Sequence, residues 1–392
     1  MSVIAGERDI TFERALELAR EHAVRLGSEP VELRLAEGRT LAEDVHVLAD
    51  HPPFTNSAMD GFAVRAADTP GLLRVVGESA AGEPWTGHLG PGQALRISTG
   101  AALPDGADAV VQREVVDDEG LQAQVPQARP GQFVRGRGED ARAGDMLLSS
   151  GHRLAAHQLG AVAGAGHPFV SCVRRPRVAV LVSGGEVVPV GAPLLQGQVW
   201  DINGTAVPAL AAAAGAEVVL CSYVPDDHAA TRDALAEALA SADVVFSTGG
   251  ASVGDHDHLR PALADLGVRE VFWGVEIRPG HPLWLGRGED AVVMALPGNP
   301  VSAVVCFSVF GRPLLGCADR WSAAPLAVAY RSPTPRTDLI RCELTADGLV
   351  PAARQASHDI TSLAAATHIA AVPAGAGEVA AGEALPAVAL TG

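Results

Sequence analysis

Between residues 177 and 316, short apolar runs alternate with helix-like stretches, and this pattern limits the possible folds more than any other feature. The runs at 178–182, 217–224, 243–247, 269–277 and 291–295 are rich in Val and Ala; helical patterns occupy 203–214, 228–240, 259–266 and 301–315. Such alternation predicts a doubly wound, mostly parallel α/β sheet covered on both faces. Ligands of open sheets of this kind collect beyond the C-terminal ends of the strands. Three turns fall at those ends and are expected to converge: Ser183-Gly184-Gly185-Glu186, Thr248-Gly249-Gly250 and Pro297-Gly298-Asn299-Pro300. The third leads a strand into a helix start, which leaves backbone N–H groups free to face an anion. Residues 160–166 have Gly-x-Gly spacing, but no dinucleotide-binding pattern follows.

The rest of the chain reads differently. Residues 11–26 carry apolar side chains at helical spacing, with Thr11 as the cap. From 46 to 149, short apolar runs alternate with Gly, Pro and Asp clusters, which predicts an all-β segment. A helical pattern returns at 154–164. The two helices bracket the β segment and are expected to pack together, with the β part as an insertion. The predicted organisation is a discontinuous helical linking domain (8–44 and 142–173), an inserted β domain (45–141), an α/β domain (174–322) and a small C-terminal β domain (323–392).

Composition narrows the function classes. The formal charge of −17 excludes nonspecific nucleic-acid binding, which needs basic surface. Any oxyanion site must then be a local cluster of Arg and backbone N–H groups set against a repulsive field. All 29 basic residues are Arg, and the chain has no lysine. No apolar run approaches the roughly 20 residues that span a bilayer. The first 17 residues carry charges and no hydrophobic signal core, so no secretion signal is expected. The five cysteines (Cys172, Cys221, Cys306, Cys317 and Cys342) lack metal-binding spacing. They are expected to be buried small apolar residues in a reducing cytoplasm.

One segment stands apart from these bulk properties: Pro52-Pro53-Phe54-Thr55-Asn56-Ser57-Ala58-Met59-Asp60-Gly61. The prolines fix an extended entry, and Asp60-Gly61 makes a tight turn. That turn holds a carboxylate beside a glycine, which would let a ligand come close; a hairpin with a solvated Asp is the plainer alternative. With the Pro297–Ser302 turn, the segment resembles the molybdopterin molybdenumtransferase family, which includes bacterial MoeA and the C-terminal domain of gephyrin. Similar stretches follow in family order: Arg96-Ile97-Ser98-Thr99-Gly100, Arg137-Gly138-Glu139-Asp140, Ser183–Glu186, Thr248 to Asp255, and Arg278-Pro279-Gly280-His281-Pro282.

The resemblance implies insertion of molybdate into adenylated molybdopterin with release of AMP, dependent on Mg²⁺, in a cytoplasmic homodimer. It also implies the molybdopterin adenylyltransferase as a partner, and neither nucleic acid nor membrane. It assigns catalytic roles to Asp60, Thr99, Asp140, Glu186, Asp226 and Asp257, with Asp60, Glu186 and Asp257 on the metal. Helix capping alone would also explain Asp226. Substrate contacts are implied for Ser57, Arg137, Thr248, Gly249, Gly250, Ser252, Arg278, His281, Pro297, Gly298, Asn299, Pro300, Ser302, Arg336 and Ser357. Four positions depart from the family. Gly185 stands where the family has Asp, and Gly274, Arg278 and His281 stand where it has lysines. Arg keeps the charge and His can carry it when protonated, whereas Gly cannot. These losses support an alternative, a divergent paralogue that binds molybdopterin or acts as a scaffold without insertion activity.

Overall fold

The computed structural model describes residues 6–249, 258–317 and 320–390. The chain forms two compact units: residues 28–173, and residues 1–27 with 174–392.

The larger unit is built on a seven-stranded sheet. Its order is Glu7–Ile10, Arg269–Val275, Trp284–Arg287, Val292–Leu296, Val244–Thr248, Arg177–Ser183, Glu217–Val224. Four of the six pairings are parallel, and the two made by Trp284–Arg287 are antiparallel. Alternate residues of the central strands serve opposite cores. Val178, Val180, Val182, Val244 and Phe246 pack on one face with the helix Asn203–Ala213 and the helical run from Pro300 to Leu314. Ala179, Leu181, Val245 and Val293 pack on the other with helices His228–Ser241 and Leu259–Asp265. Covering both faces is what makes every residue of Val244–Thr248 and Val292–Leu296 buried, and it explains their continuous apolar composition.

Two expectations need correction. The helix Phe12–Glu21 belongs to the larger unit and does not share one helical domain with Ala156–Gly164. It follows the edge strand Glu7–Ile10 after one residue, Thr11, whose hydroxyl caps it at 3.3 Å. Its apolar stripe (Ala15, Leu16, Leu18, Ala19) therefore joins the α/β core, where Phe12 meets Phe310 and Trp321 edge-on. Ala156–Gly164 instead packs around Leu41, Leu154 and Cys172 of the smaller unit. The run 269–277 is also not one strand. It stops at Val275, and Ile277–Arg278 joins a different sheet, beside Thr337 and Asp338.

That second sheet has the order Ile277–Arg278, Thr337–Thr345, His368–Val372, Ala384–Ala389, Ser322–Pro325. It brings the C-terminal segment against the 277–282 turn. The smaller unit holds a six-stranded sheet, Ala109–Gln112, Gly61–Val64, Gln93–Ile97, Gly71–Ser79, Gln122–Val125, Asp117–Asp118. All five cysteines are free; Cys172, Cys306 and Cys342 are buried, while Cys221 is exposed rather than buried as expected. No helix among the described residues is long and apolar enough to cross a membrane.

Candidate functional site

In the smaller unit, Asp60 is held by the 96–101 segment. Its Oδ1 accepts from the Thr99 backbone N–H at 2.7 Å and from the Thr99 hydroxyl at 3.0 Å. These two bonds lower the Asp60 carboxyl below the usual carboxylate range. Gly61 is required for a reason other than ligand access: a Cβ there would overlap the Val111 carbonyl of the neighbouring strand. Ser57 is fully buried, and its hydroxyl donates to the Met59 carbonyl and accepts from the Met59 N–H. It shapes the turn that carries Asp60. Arg137 pairs with Asp50 at 2.7 Å, and Asp140 faces His51 at 3.1 Å. The Arg137 N–H reaches Thr55 Oγ1, which ties this segment to the Asp60 turn.

In the larger unit, the three strand-end turns meet. Ser183 Oγ donates to the Thr248 carbonyl at 3.3 Å. Gly249 has φ +85°, and a Cβ on it would lie 2.7 Å from the Ser183 carbonyl oxygen. A Cβ on Gly298 would lie 3.6 Å from the Gly249 Cα. Asn203, at the start of its helix, donates to the Gly298 carbonyl at 2.8 Å. Thr248 Oγ1, Ser247 Oγ and Asn203 Oδ1 are buried and have no hydrogen-bond partner among the described residues, so the crevice retains polar capacity for a ligand. Gly250, Ser252 and Asp257 lie outside the described residues.

Two carboxylates border the Gly184–Gly185 turn. A Cβ on Gly184 would lie 2.9 Å from Glu186 Oε2, and Asp226 Oδ2 accepts from the Gly185 N–H at 3.1 Å. The capping alternative for Asp226 falls away. Asp227 is the cap of the following helix, accepting from Ala230 N–H at 2.9 Å, which leaves Asp226 turned toward Gly185.

On the other side of the Pro297–Asn299 loop opens a cavity of about 710 Å³. Arg278, His281, Pro297, Asn299, Ser302, Arg336 and Ser357 all line it. These come from four separated stretches of sequence, and no Asp or Glu is among the described residues that line it. The acids that pair with the arginines lie outside the lining, Asp338 buried and Glu276 half-exposed. Arg278 Nη1 is 3.5 Å from the buried Asp338, and Arg336 Nε is 3.0 Å from Glu276. Arg341 forms no part of the lining. It is fully buried and holds the 354–356 loop through the Arg354 and Ala356 carbonyls.

Three family descriptions match in chain order: the MoeA N-terminal region (domain I and II) over residues 10–166, a probable molybdopterin binding domain over 179–316, and the MoeA C-terminal region (domain IV) over 323–390. A molybdopterin molybdenumtransferase of Nostoc sp. is 39% identical over 320 residues, covering 78% of this chain and 73% of its own. One of Synechococcus elongatus is 35% identical over 394 residues, 95% and 98% of the two chains. A crystal structure of a molybdopterin biosynthesis MoeA protein from Pyrococcus horikoshii superposes with TM-score 0.86 at 32% identity, covering 98% of this chain and 99% of that one.

The chain belongs to the molybdopterin molybdenumtransferase family. Its departures from the family pattern now have surroundings. A Cβ on Gly185 would lie 3.3 Å from Asp226 Oδ2, so an Asp there would add a carboxylate beside an existing one. Gly274 has φ +83°, and a Cβ on it would lie 2.6 Å from Asp9 Oδ1. Asp9 occupies the place of a side chain at 274, and it faces His281 Nε2 at 3.0 Å. Asp9, Asn203 and Glu276 were missed by sequence reasoning. Asp201-Ile202-Asn203-Gly204 before a helix was a readable cap signal, since Asp201 accepts from the Gly204 N–H. Asp9 and Glu276 left no signal, because only tertiary packing joins them to His281.

Proposed function

We propose that this chain is a molybdopterin molybdenumtransferase that inserts molybdate into adenylated molybdopterin with release of AMP. The observation that carries this is the carboxylate-free lining of the Arg278–Arg336 cavity in a chain of net charge −17. Arg guanidinium groups, the hydroxyls of Ser302 and Ser357, and the Asn299 amide are donors suited to a tetrahedral oxyanion. The strand-end crevice beside it, where the Thr248 hydroxyl and Asn203 carbonyl have no partner among the described residues, is the proposed seat of the pterin and its adenylyl phosphate. The loop Pro297–Asn299 would lie between the two substrates and hold their reacting groups side by side.

Mg²⁺ suits the acids proposed for it. Of Asp60, Glu186 and Asp257, Glu186 presents its carboxylate at the glycine turn, with the catalytic Asp226 beside it; carboxylate oxygens are the donor type a hard cation takes, with substrate phosphate and water completing its shell. When bound, the ion neutralises phosphate charge as AMP leaves. Asp60, Thr99 and Asp140 in the smaller unit, and Asp257, complete the proposed set. A homodimer is proposed as the means of uniting both groups of residues, in the cytoplasm, with the adenylyltransferase supplying the adenylated pterin. Purified protein given adenylated molybdopterin, molybdate and Mg²⁺ should form active cofactor and AMP. If it forms neither yet binds the pterin, the scaffold alternative, which Gly185 and Gly274 motivate, takes its place.

A further inference from the structure

We infer that Asp9, Glu276 and His281 form a site for a divalent transition metal of the zinc type at the rim of the cavity. Nε2 of His281 lies 3.0 Å from Asp9 Oδ1 and 3.9 Å from Glu276 Oε1, and the three ligand atoms all lie within 4.8 Å of one another. Ligands on a tetrahedral ion with bonds of about 2.0 Å sit about 3.3 Å apart, so a small contraction would close the set. The three groups are not a chance meeting of mobile side chains. The Glu276 N–H donates to the Ile10 carbonyl, and the Val275 N–H donates to the His281 carbonyl, which fixes all three segments by backbone bonds of 2.8 and 2.9 Å. The His281 ring stands edge-on to Trp273 at 5.9 Å. Arg336 grips Glu276 through Oε2 and leaves Oε1 toward the imidazole, the outer support that ligating carboxylates usually have. At Gly274 the absence of a side chain, with φ +83°, leaves room for the Asp9 carboxylate.

The donor set selects the ion. One imidazole nitrogen and two carboxylate oxygens suit Zn²⁺ and its neighbours in the first transition row, whereas Mg²⁺ prefers six oxygens and keeps its waters. His281 also lines the cavity, so the ion's remaining position would open toward it. The consequence rests on the proposed oxyanion pocket: a metal here would offset two acids that stand beside His281 and strengthen the hold on an anion.

The test is titration of the chelator-treated full chain with Zn²⁺ by calorimetry, with neither molybdate nor pterin present, so that its failure is separable from failure of the proposed activity. One equivalent should bind to wild type. Asp9→Asn and His281→Ala should each weaken that binding at least about tenfold, with circular dichroism melts unchanged. Glu276→Gln serves if either variant fails to fold. Co²⁺ in place of Zn²⁺ should broaden the His281 imidazole proton signals. No binding, equal affinity in wild type and variants, or displacement of Zn²⁺ by an equal concentration of Mg²⁺ would each overturn the site.

Discussion

The two sides of the Pro297–Asn299 loop carry opposite chemistry. On one side, Glu186 and Asp226 border a glycine turn. On the other, Arg278 and Arg336 line a cavity with no carboxylate among its described lining residues. The difference lies in where the acids are kept. Asp338, buried, and Glu276, half-exposed, stand outside the lining and pair with the arginines at 3.5 and 3.0 Å. A strongly acidic protein can thus present a basic pocket by keeping its carboxylates out of the lining and pairing them with the guanidinium groups that face it. The acidic side is the reverse: Glu186 and Asp226 are exposed at the turn itself.

Breaking the acidic side should have the largest effect. Glu186→Ala should lower kcat on the order of 10²-fold and leave the melting temperature nearly unchanged, because an exposed turn acid contributes little to packing. Asp226→Ala should act in the same direction by steady-state kinetics. Breaking the support of the basic side is a stability experiment. Arg341→Met removes a fully buried guanidinium that holds the 354–356 loop. Denaturant unfolding should register a loss of about 3 kcal/mol, with a raised molybdate KM as the loop beside Ser357 loosens. The smallest effect concerns Asp60. Bonds from Thr99, backbone first and hydroxyl second, hold its carboxyl below the usual range. The ionised group therefore stabilises its turn above the ordinary carboxylate range, and that contribution fades as pH falls through the lowered value. Thr99→Val keeps the backbone bond and loses the hydroxyl, so the Asp60 carboxyl should titrate higher than in wild type by carbon NMR.

Much of this contrast was legible in the sequence, and the limits have physical causes. The central strands and their covering helices announced themselves through continuous apolar runs. Strand-end turns were readable because glycine and proline punctuate backbone direction. The polar edge strand Glu7–Ile10 was not, and with it went the placement of the first helix, since an edge strand need not be apolar on either face. Trp284–Arg287 was missed for a related reason: Leu283 to Gly286 sits between turns too close together to be read as a separate strand. Arg278, His281, Ser302, Arg336 and Ser357 could be named singly, by resemblance. That they line one cavity depends on Ile277–Arg278 leaving the first sheet for the second, which no local pattern records. Gly274 read from sequence as a lost lysine, and in the fold it makes room for Asp9.

The central claim is that the carboxylate-free cavity takes the oxyanion. Molybdate binding measured by calorimetry on wild type, on Glu186→Ala and on the Arg278→Ala/Arg336→Ala pair tests it most directly. Wild type and Glu186→Ala should bind one equivalent with similar affinity, and the paired variant should lose at least about 2 kcal/mol of binding, roughly thirtyfold. Equal affinity in all three proteins would contradict the account and move the anion out of this cavity.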